Sequence, residues 1–138
     1  MIQIQPYGFA HFNGVDQLWR TVFPDDPPRN RAGSAIPAKL SLEDELFWVA
    51  IDSGGAVVGT IMAGWDGHRG WLYSVAVDPE KHRSGIGRAL VEHAVTELRS
   101  RGCAKVNLQI RAGNDAVAAF YSKLGFSTEA RISMGREL

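Results

Sequence analysis

The chain has few features that would tie it together covalently or anchor it in a membrane. Cys103 is its only cysteine, which excludes an intrachain disulfide and a zinc site built from four cysteines of one chain. No apolar run approaches the ~20 residues of a membrane-spanning helix, and residues 1–6 lack the basic and apolar regions of a secretory signal. These absences predict a cytoplasmic protein with no membrane partner.

An excess of charge of one sign is also missing. The chain has 15 Lys and Arg residues against 15 Asp and Glu residues, so its formal net charge is zero. This balance argues against nucleic acid as a partner, although a local basic patch can still bind phosphate. With 45% hydrophobic and 22% charged residues, the 138-residue chain is predicted to fold as one domain spanning residues 1–138.

Hydrophobic periodicity predicts the order of strands and helices in the first half of the chain. Residues 2–5 alternate like a short strand and residues 9–22 have helical spacing, whereas four prolines predict a loop over residues 23–38. Three strands separated by glycine-containing turns should then form a meander, at residues 46–51, 56–63 and 71–77.

The clearest helix signal begins near Gly85. Ile86, Leu90, Ala94 and Leu98 recur there at four-residue spacing and define one apolar face. The rest of the chain predicts a strand, a second helix and one or two closing strands, at residues 106–110, 114–125 and 126–138 respectively.

Residues 75–90 have the pattern of an anion-binding turn. A predicted strand leads into a loop whose glycines, Gly85 and Gly87, stand where the helix begins. The free amides and the dipole of a helix N-terminus favour an anion, glycine lets a diphosphate approach the backbone, and Arg83 and Arg88 add positive charge. Taken alone, such a glycine pair is also typical of a simple turn or of close helix packing.

Two well-known nucleotide-binding motifs do not fit this segment. The phosphate loop of NTPases requires a lysine and a hydroxyl residue after its last glycine, where this chain has Arg88 and Ala89. The dinucleotide fingerprint requires glycine or alanine where this chain has Leu90. Neither motif therefore explains the glycines.

Two separated segments resemble the GCN5-related N-acetyltransferase (GNAT) superfamily. Residues 82–87 match its Gln/Arg-x-x-Gly-x-Gly/Ala loop at both glycines, with His82 in place of the usual Gln or Arg, after a strand that ends in Val77-Asp78-Pro79. Residues 114–126 look like its second pattern, Asn-x-x-Ala-x-x-Phe-Tyr-x-x-x-Gly-Phe. The turn at residues 66–70 further resembles a branch of small single-domain bacterial members often labelled YpeA-like.

The resemblance implies both a fold and a donor. The fold is an α/β (α+β) arrangement with a mixed, mostly antiparallel sheet of six to seven strands, helices on both faces, and a splay between the fourth and fifth strands. The donor is acetyl-CoA, with no metal. The residues that the resemblance assigns to the cofactor are Val75, Ala76, Val77, His82, Arg83, Ser84, Gly85, Ile86, Gly87, Arg88, Asn114, Phe120 and Lys123.

The resemblance also implies catalytic roles. Tyr121 stands at the position of the general acid that protonates the leaving CoA thiolate, and the Val77 backbone amide at that of the oxyanion donor. Many relatives have a glutamate base in the strand before the loop, but residues 72–75 contain no carboxylate. His68 is our candidate base, and the other acceptors left open are Asp66, Glu45 and a water relay.

The expected function is therefore N-acetyl transfer from acetyl-CoA to a primary amine by direct attack. Because the strand carboxylate is missing, an acyl-CoA-binding regulatory module with little or no transferase activity is the alternative. The acceptor, a small-molecule or peptide amine, is not specified, since the resemblance implies an acceptor site built from variable loops, here at residues 23–38 and 66–70. A monomer and a homodimer are both compatible with the sequence.

Overall fold

Five strands and four α-helices make up the computed structural model, which describes residues 1–138. The elements, in chain order, are β1 (Gln3–Pro6), α1 (Phe12–Val22), α2 (Ala32–Leu40), β2 (Phe47–Ile51), β3 (Val57–Trp65), β4 (Gly70–Val77), α3 (Ile86–Ser100), β5 (Val106–Asn107) and α4 (Asp115–Lys123). The chain divides into two compact units, residues 1–108 and 109–138. Each unit is described by itself.

The first unit contains the whole sheet, in the order β1-β2-β3-β4-β5. The first three pairings are antiparallel and only β4 with β5 is parallel, so the sheet is mixed and mostly antiparallel, as expected. All five residues of β2 are buried, which explains why this strand is a continuous apolar run rather than an alternating one.

Helices cover both faces of this sheet. Successive strand residues face opposite sides, and Met62 of β3 belongs to a core cluster formed with α1 and α2. Gly59, three residues earlier, faces α3, because a Cβ added there would lie 2.8 Å from Leu90 Cδ1. The cluster on the α1 and α2 face contains Val15, Leu18, Trp19, Ala32, Ile36, Phe47, Val49, Ile51, Met62 and Ala76.

The predicted number of strands was wrong. The sheet has five strands rather than six or seven, and no strand follows β5. Ile132, Met134 and Leu138 are spaced like one face of a strand, but the first two are 91% and 90% exposed and Leu138 is fully exposed. An alternating pattern stabilises a strand only where one face is buried, and here no face is.

The predicted loop over residues 23–38 was wrong in its second half. There α2 begins at Ala32 and includes Pro37. Ala32 and Ile36, one helical turn apart, are 1% and 2% exposed and pack in the same cluster as α1. Burial of this short apolar face outweighs the backbone hydrogen bond that the proline cannot donate.

Candidate functional site

The strand β4 changes register at Ser74. Tyr73 pairs with Met62 and Ala76 pairs with Thr60, so two residues of β4 lie opposite one residue of β3. Ser74 has a φ of +50°, in the left-handed region that residues other than glycine rarely adopt. These are the marks of a β-bulge, which often lies beside a functional site.

The bulge changes which neighbouring strand the amides of β4 point to. The Gly70 amide donates to the carbonyl of Lys105 on the β5 side at 2.8 Å, whereas the Asp78 amide donates to Val58 of β3 at 2.9 Å. In a regular strand, amides separated by an even number of residues point to the same neighbour. The extra residue at Ser74 accounts for the reversal.

The outer edge of β4 has no strand partner over most of its length. β5 pairs only with Gly70 and Trp71, as expected of a sheet that opens between its fourth and fifth strands. Because the Asp78 amide points to β3, alternation directs the amides of Val75 and Val77 to the outer edge. An extended molecule with amide groups can add to such an edge as a further strand.

The loop after β4 turns the chain sharply into α3. The Asp78 carboxylate accepts a hydrogen bond from the Glu80 amide at 3.0 Å within a single 3-10 turn. Arg83 and Gly85 have φ values of +68° and +83°, and Gly85 is the residue that immediately precedes α3. A Cβ added at Gly85 would meet nothing within 4 Å, so the requirement for glycine there is conformational.

The start of α3 has the properties of an anion site. No side chain caps this helix end, and its first turn contains no acidic residue. Helix N-termini are normally stabilised by acidic side chains, but among residues 79–88 only Glu80 is acidic, whereas four exposed side chains are basic: Lys81, His82, Arg83 and Arg88. Exposed Ser84 belongs to the same loop, whereas Ile86 is buried and anchors the first turn. A bound anion would supply the missing negative charge.

The second unit contains α4 and the remaining predicted site residues. The Asn114 side chain caps α4 by accepting a hydrogen bond from the Val117 amide at 3.3 Å. Tyr121 is 7% exposed, and its ring lies edge-on to those of Phe120 and Phe126, with centroid distances of 5.0 and 5.6 Å. Burial raises the pKa of Tyr121 to about 12, so its phenol keeps its proton at neutral pH.

Lys123 is exposed in the last turn of α4. Asn114, Phe120 and Lys123 are the residues of this unit that the family resemblance assigns to the cofactor.

His68 lies in the turn between β3 and β4. The Asp66 carboxylate accepts hydrogen bonds from the amides of His68 and Arg69 at 2.8 and 2.9 Å, and these bonds, that of Arg69 first, lower the pKa of Asp66. The His68 ring is exposed. Val77 is at the far end of β4, roughly 20 Å away at the usual rise per strand residue, so the imidazole does not contact the Val77 amide.

Glu45, another carboxylate considered as a base, lines a separate open groove. This groove has a volume of about 680 Å³ and lies where β2 begins, with Tyr7, Lys39 and Trp48 among its walls. None of its lining residues belongs to β4 or to the loop that follows it.

Thr60 contacts the bulge directly and Trp19 contacts Thr60, although no motif in the sequence marks either residue. The Trp19 indole Nε1 donates to Thr60 Oγ1 at 2.9 Å, and Thr60 Oγ1 donates to the Ser74 carbonyl at 2.9 Å. Trp19 and Thr60 are 41 residues apart in the chain, so no local pattern links them. The only signal in the sequence is a hydroxyl residue within an otherwise apolar strand.

Two further findings concern the whole chain. No three His, Cys, Asp or Glu side chains are grouped closely enough to hold a metal ion. None of the four α-helices combines the length and hydrophobicity that crossing a membrane would require.

Comparison with known proteins identifies the class. Residues 12–126 match the acetyltransferase (GNAT) family. An acetyltransferase of Yersinia enterocolitica is 40% identical over 111 residues, which cover 80% of this chain and 78% of that protein. The chain therefore belongs to the GNAT family of acetyltransferases, as its two sequence segments suggested.

Solved structures show the same fold. The ribosomal-protein-S18-alanine N-acetyltransferase of Escherichia coli superposes with a TM-score of 0.78 at 24% identity, covering 94% of this chain and 80% of that one. The NatC complex bound to Gag peptide and CoA superposes with a TM-score of 0.79 at 22% identity, covering 95% and 87%. At these identities the likeness concerns the fold alone.

Proposed function

We propose that this acetyltransferase transfers an acetyl group from acetyl-CoA to a primary amine by direct attack, with residues 1–138 working as one domain. A single observation carries the proposal. The unpartnered outer edge of β4 at Val75 and Val77 runs directly into the glycine turn and the uncapped first turn of α3. The strand edge can bind an amide-containing arm, and the helix start can bind a diphosphate. A ligand in which these two groups are linked would therefore fit both.

CoA has both of these groups. In our proposal its pantetheine lies along residues 75–77 of β4 as an added strand, and its pyrophosphate lies against residues 82–88. Asn114, Phe120 and Lys123 are assigned to the rest of the cofactor. The CoA present in the NatC complex, a structural neighbour, supports the choice of this donor.

The reaction needs an oxyanion donor and a proton for the leaving group. The amine nitrogen attacks the thioester carbon, and the Val77 amide stabilises the negative charge that develops on the carbonyl oxygen. The C–S bond then breaks, and the Tyr121 hydroxyl protonates the departing thiolate. The products are an N-acetylated amine and CoA with a free thiol, and the Tyr121 phenolate regains its proton from solvent.

The amine must also lose a proton, because a lysine-like amine is protonated at neutral pH. We assign this proton to a water relay that ends at His68, since the imidazole itself lies at the other end of β4. A pH profile of kcat/KM tests the assignment. The profile of His68→Ala should differ from that of the wild type, whereas an identical profile removes His68 from the mechanism.

The acceptor class remains a primary amine on a small molecule or a peptide. The structural neighbour from E. coli acts, by its name, on an alanine of a ribosomal protein, which supports testing peptide N-termini alongside small amines. We further propose that the protein works in the cytoplasm, and its state as monomer or homodimer is measurable by light scattering.

The decisive experiment measures binding and turnover separately. Calorimetry with acetyl-CoA tests the donor, and release of the CoA thiol during incubation with a panel of amines and peptides tests transfer, with the acetylated product identified by mass. We expect both signals. Binding with no transfer to any acceptor would favour the acyl-CoA-binding regulatory module, and absence of binding would contradict both functions.

A further inference from the structure

The bulge in β4 is held from the opposite side of the sheet by a buried pair of side chains. Thr60 is fully buried and Trp19 is 3% exposed. Two hydrogen bonds of 2.9 Å connect the Trp19 indole, the Thr60 hydroxyl and the Ser74 carbonyl in that order. The chain of contacts therefore runs from α1 through β3 to the bulged residue of β4.

The direction of both bonds follows from the chemistry of the groups. An indole N–H can only donate and a backbone carbonyl can only accept, whereas a hydroxyl has one hydrogen to donate and lone pairs to accept. Since Trp19 donates to Thr60, the single Thr60 hydrogen is left for the Ser74 carbonyl. Each of the three groups is then satisfied, and the hydroxyl has one orientation.

The Ser74 carbonyl needs this partner because of the bulge. A bulged residue is displaced from the regular ladder, and Ser74 is half-buried, so its carbonyl is partly shielded from water and benefits from a partner within the protein. Thr60 donates to this carbonyl while Ser74 has a left-handed conformation, with a φ of +50°. That conformation is also what turns the Val75 and Val77 amides to the outer edge of β4.

We propose that Thr60 and Trp19 are positioning residues for acetyl transfer: they hold the Ser74 bulge, and through it the Val75 and Val77 amides, in the orientation that receives the thioester. The inference rests on the proposed function, in which the Val77 amide is the oxyanion donor. Neither side chain acts on the substrate. Their effect passes through the backbone of β4.

Substitutions of Thr60 separate positioning from packing. Thr60→Val keeps the shape of the side chain but removes the hydroxyl, whereas Thr60→Ser retains the hydroxyl. Trp19→Phe removes the indole donor, with Trp48→Phe as its control on the other face of the sheet. Leu18→Ala is the control for lost stability, because Leu18 is 6% exposed in the same core cluster and has no hydrogen bond to β4.

The readouts are kcat, the Kd of CoA and the thermal midpoint, with kcat measured well below every midpoint. We expect kcat to fall about tenfold or more in Thr60→Val, because small displacements of a reacting group are costly. The Kd of CoA should change far less, since the pyrophosphate loop is untouched. Trp19→Phe should lower kcat less than Thr60→Val, Thr60→Ser should restore it, and Leu18→Ala and Trp48→Phe should keep it despite lower midpoints.

Wild-type kcat in Thr60→Val, no rescue by Thr60→Ser, or an equal loss in Leu18→Ala would each overturn the proposal. A second readout does not depend on turnover. The amide NMR signals of Val75 and Val77 should shift in Thr60→Val and keep their positions in Thr60→Ser and Leu18→Ala. If the wild type transfers acetyl to no amine, the proposed function fails by itself, and unmoved signals in Thr60→Val would still refute the positioning role.

Discussion

Gly59 of β3 and Leu90 of α3 are packed so closely that no side chain fits between them. A Cβ added at Gly59 would lie 2.8 Å from Leu90 Cδ1 and 3.2 Å from the Ala76 carbonyl oxygen. Leu90 is fully buried and Ala76 belongs to β4, so neither neighbour can move freely. This contact sets the distance between α3 and the strands that precede the glycine turn.

Gly59→Ala is therefore expected to destabilise the protein by about 1 to 3 kcal/mol, the usual cost of overpacking a core. Denaturant unfolding measures the change. Gly33→Ala is the matched control, because a Cβ there meets nothing within 4 Å and the residue lies inside α2, where alanine is the better helix former. Equal stability changes in the two variants would contradict the packing argument.

Local patterns were enough to predict the part of the fold that leads to the loop. The meander of β2, β3 and β4 and the long helix α3 each have a clear periodicity, bounded by turn residues. By contrast, α2 forms because Ala32 and Ile36 are buried against α1, which a proline-rich sequence does not reveal. The prediction of closing strands over residues 126–138 failed because an alternating pattern does not by itself create a buried face.

The candidate site divides in the same way. The glycine turn could be recognised because Gly85 and Gly87 act through local backbone geometry. The bulge could not, because nothing in the local sequence marks Ser74, an ordinary strand residue, for a φ of +50°. Thr60 and Trp19 were missed for that reason.

Gly85→Ala tests the turn before α3. A left-handed φ of +83° is unfavourable for alanine, by about 1 kcal/mol, so we expect the loop to lose its geometry and the Kd of acetyl-CoA to rise several-fold. Gly85→Asn should lose less, because asparagine tolerates this conformation better. Calorimetric titration measures the affinities.

Gly55→Ala is the control for Gly85→Ala. Gly55 has a φ of +86° and open space around it, but it lies in the turn between β2 and β3. The substitution imposes a similar conformational cost away from the proposed pyrophosphate site. A loss of acetyl-CoA affinity as large as that of Gly85→Ala would show that the effect is general destabilisation.

Tyr121→Phe tests the proposed general acid. Loss of the phenol proton should lower kcat by about a hundredfold, within the usual range for general acid catalysis, while the Kd of acetyl-CoA stays near that of the wild type. Tyr7→Phe is the control, since Tyr7 stacks on Phe47 with a centroid distance of 4.4 Å and has no proposed catalytic role. An unchanged kcat in Tyr121→Phe across the pH range would remove Tyr121 from this role.

The same substitution should change the stability of the protein in alkali. Burial raises the pKa of Tyr121 to about 12 in the folded state, against a reference value of 10.0. The folded state therefore holds this proton more tightly than the unfolded state does, so the phenol's contribution to stability is complete below pH 10 and is lost as the pH rises through 12. Two pKa units correspond to a total loss of about 2.7 kcal/mol from this group once the pH is well above 12.

Urea unfolding at pH 9.5 and pH 11.5 measures this loss, and Tyr121→Phe should lose less stability than the wild type between the two. Burial also raises the pKa of Tyr7, but Tyr7 is present in both proteins, so its titration cancels in the comparison. Equal losses in the two proteins would mean that the Tyr121 hydroxyl ionises as readily in the folded state as in the unfolded chain. Such a result would contradict the burial of this hydroxyl in the folded state.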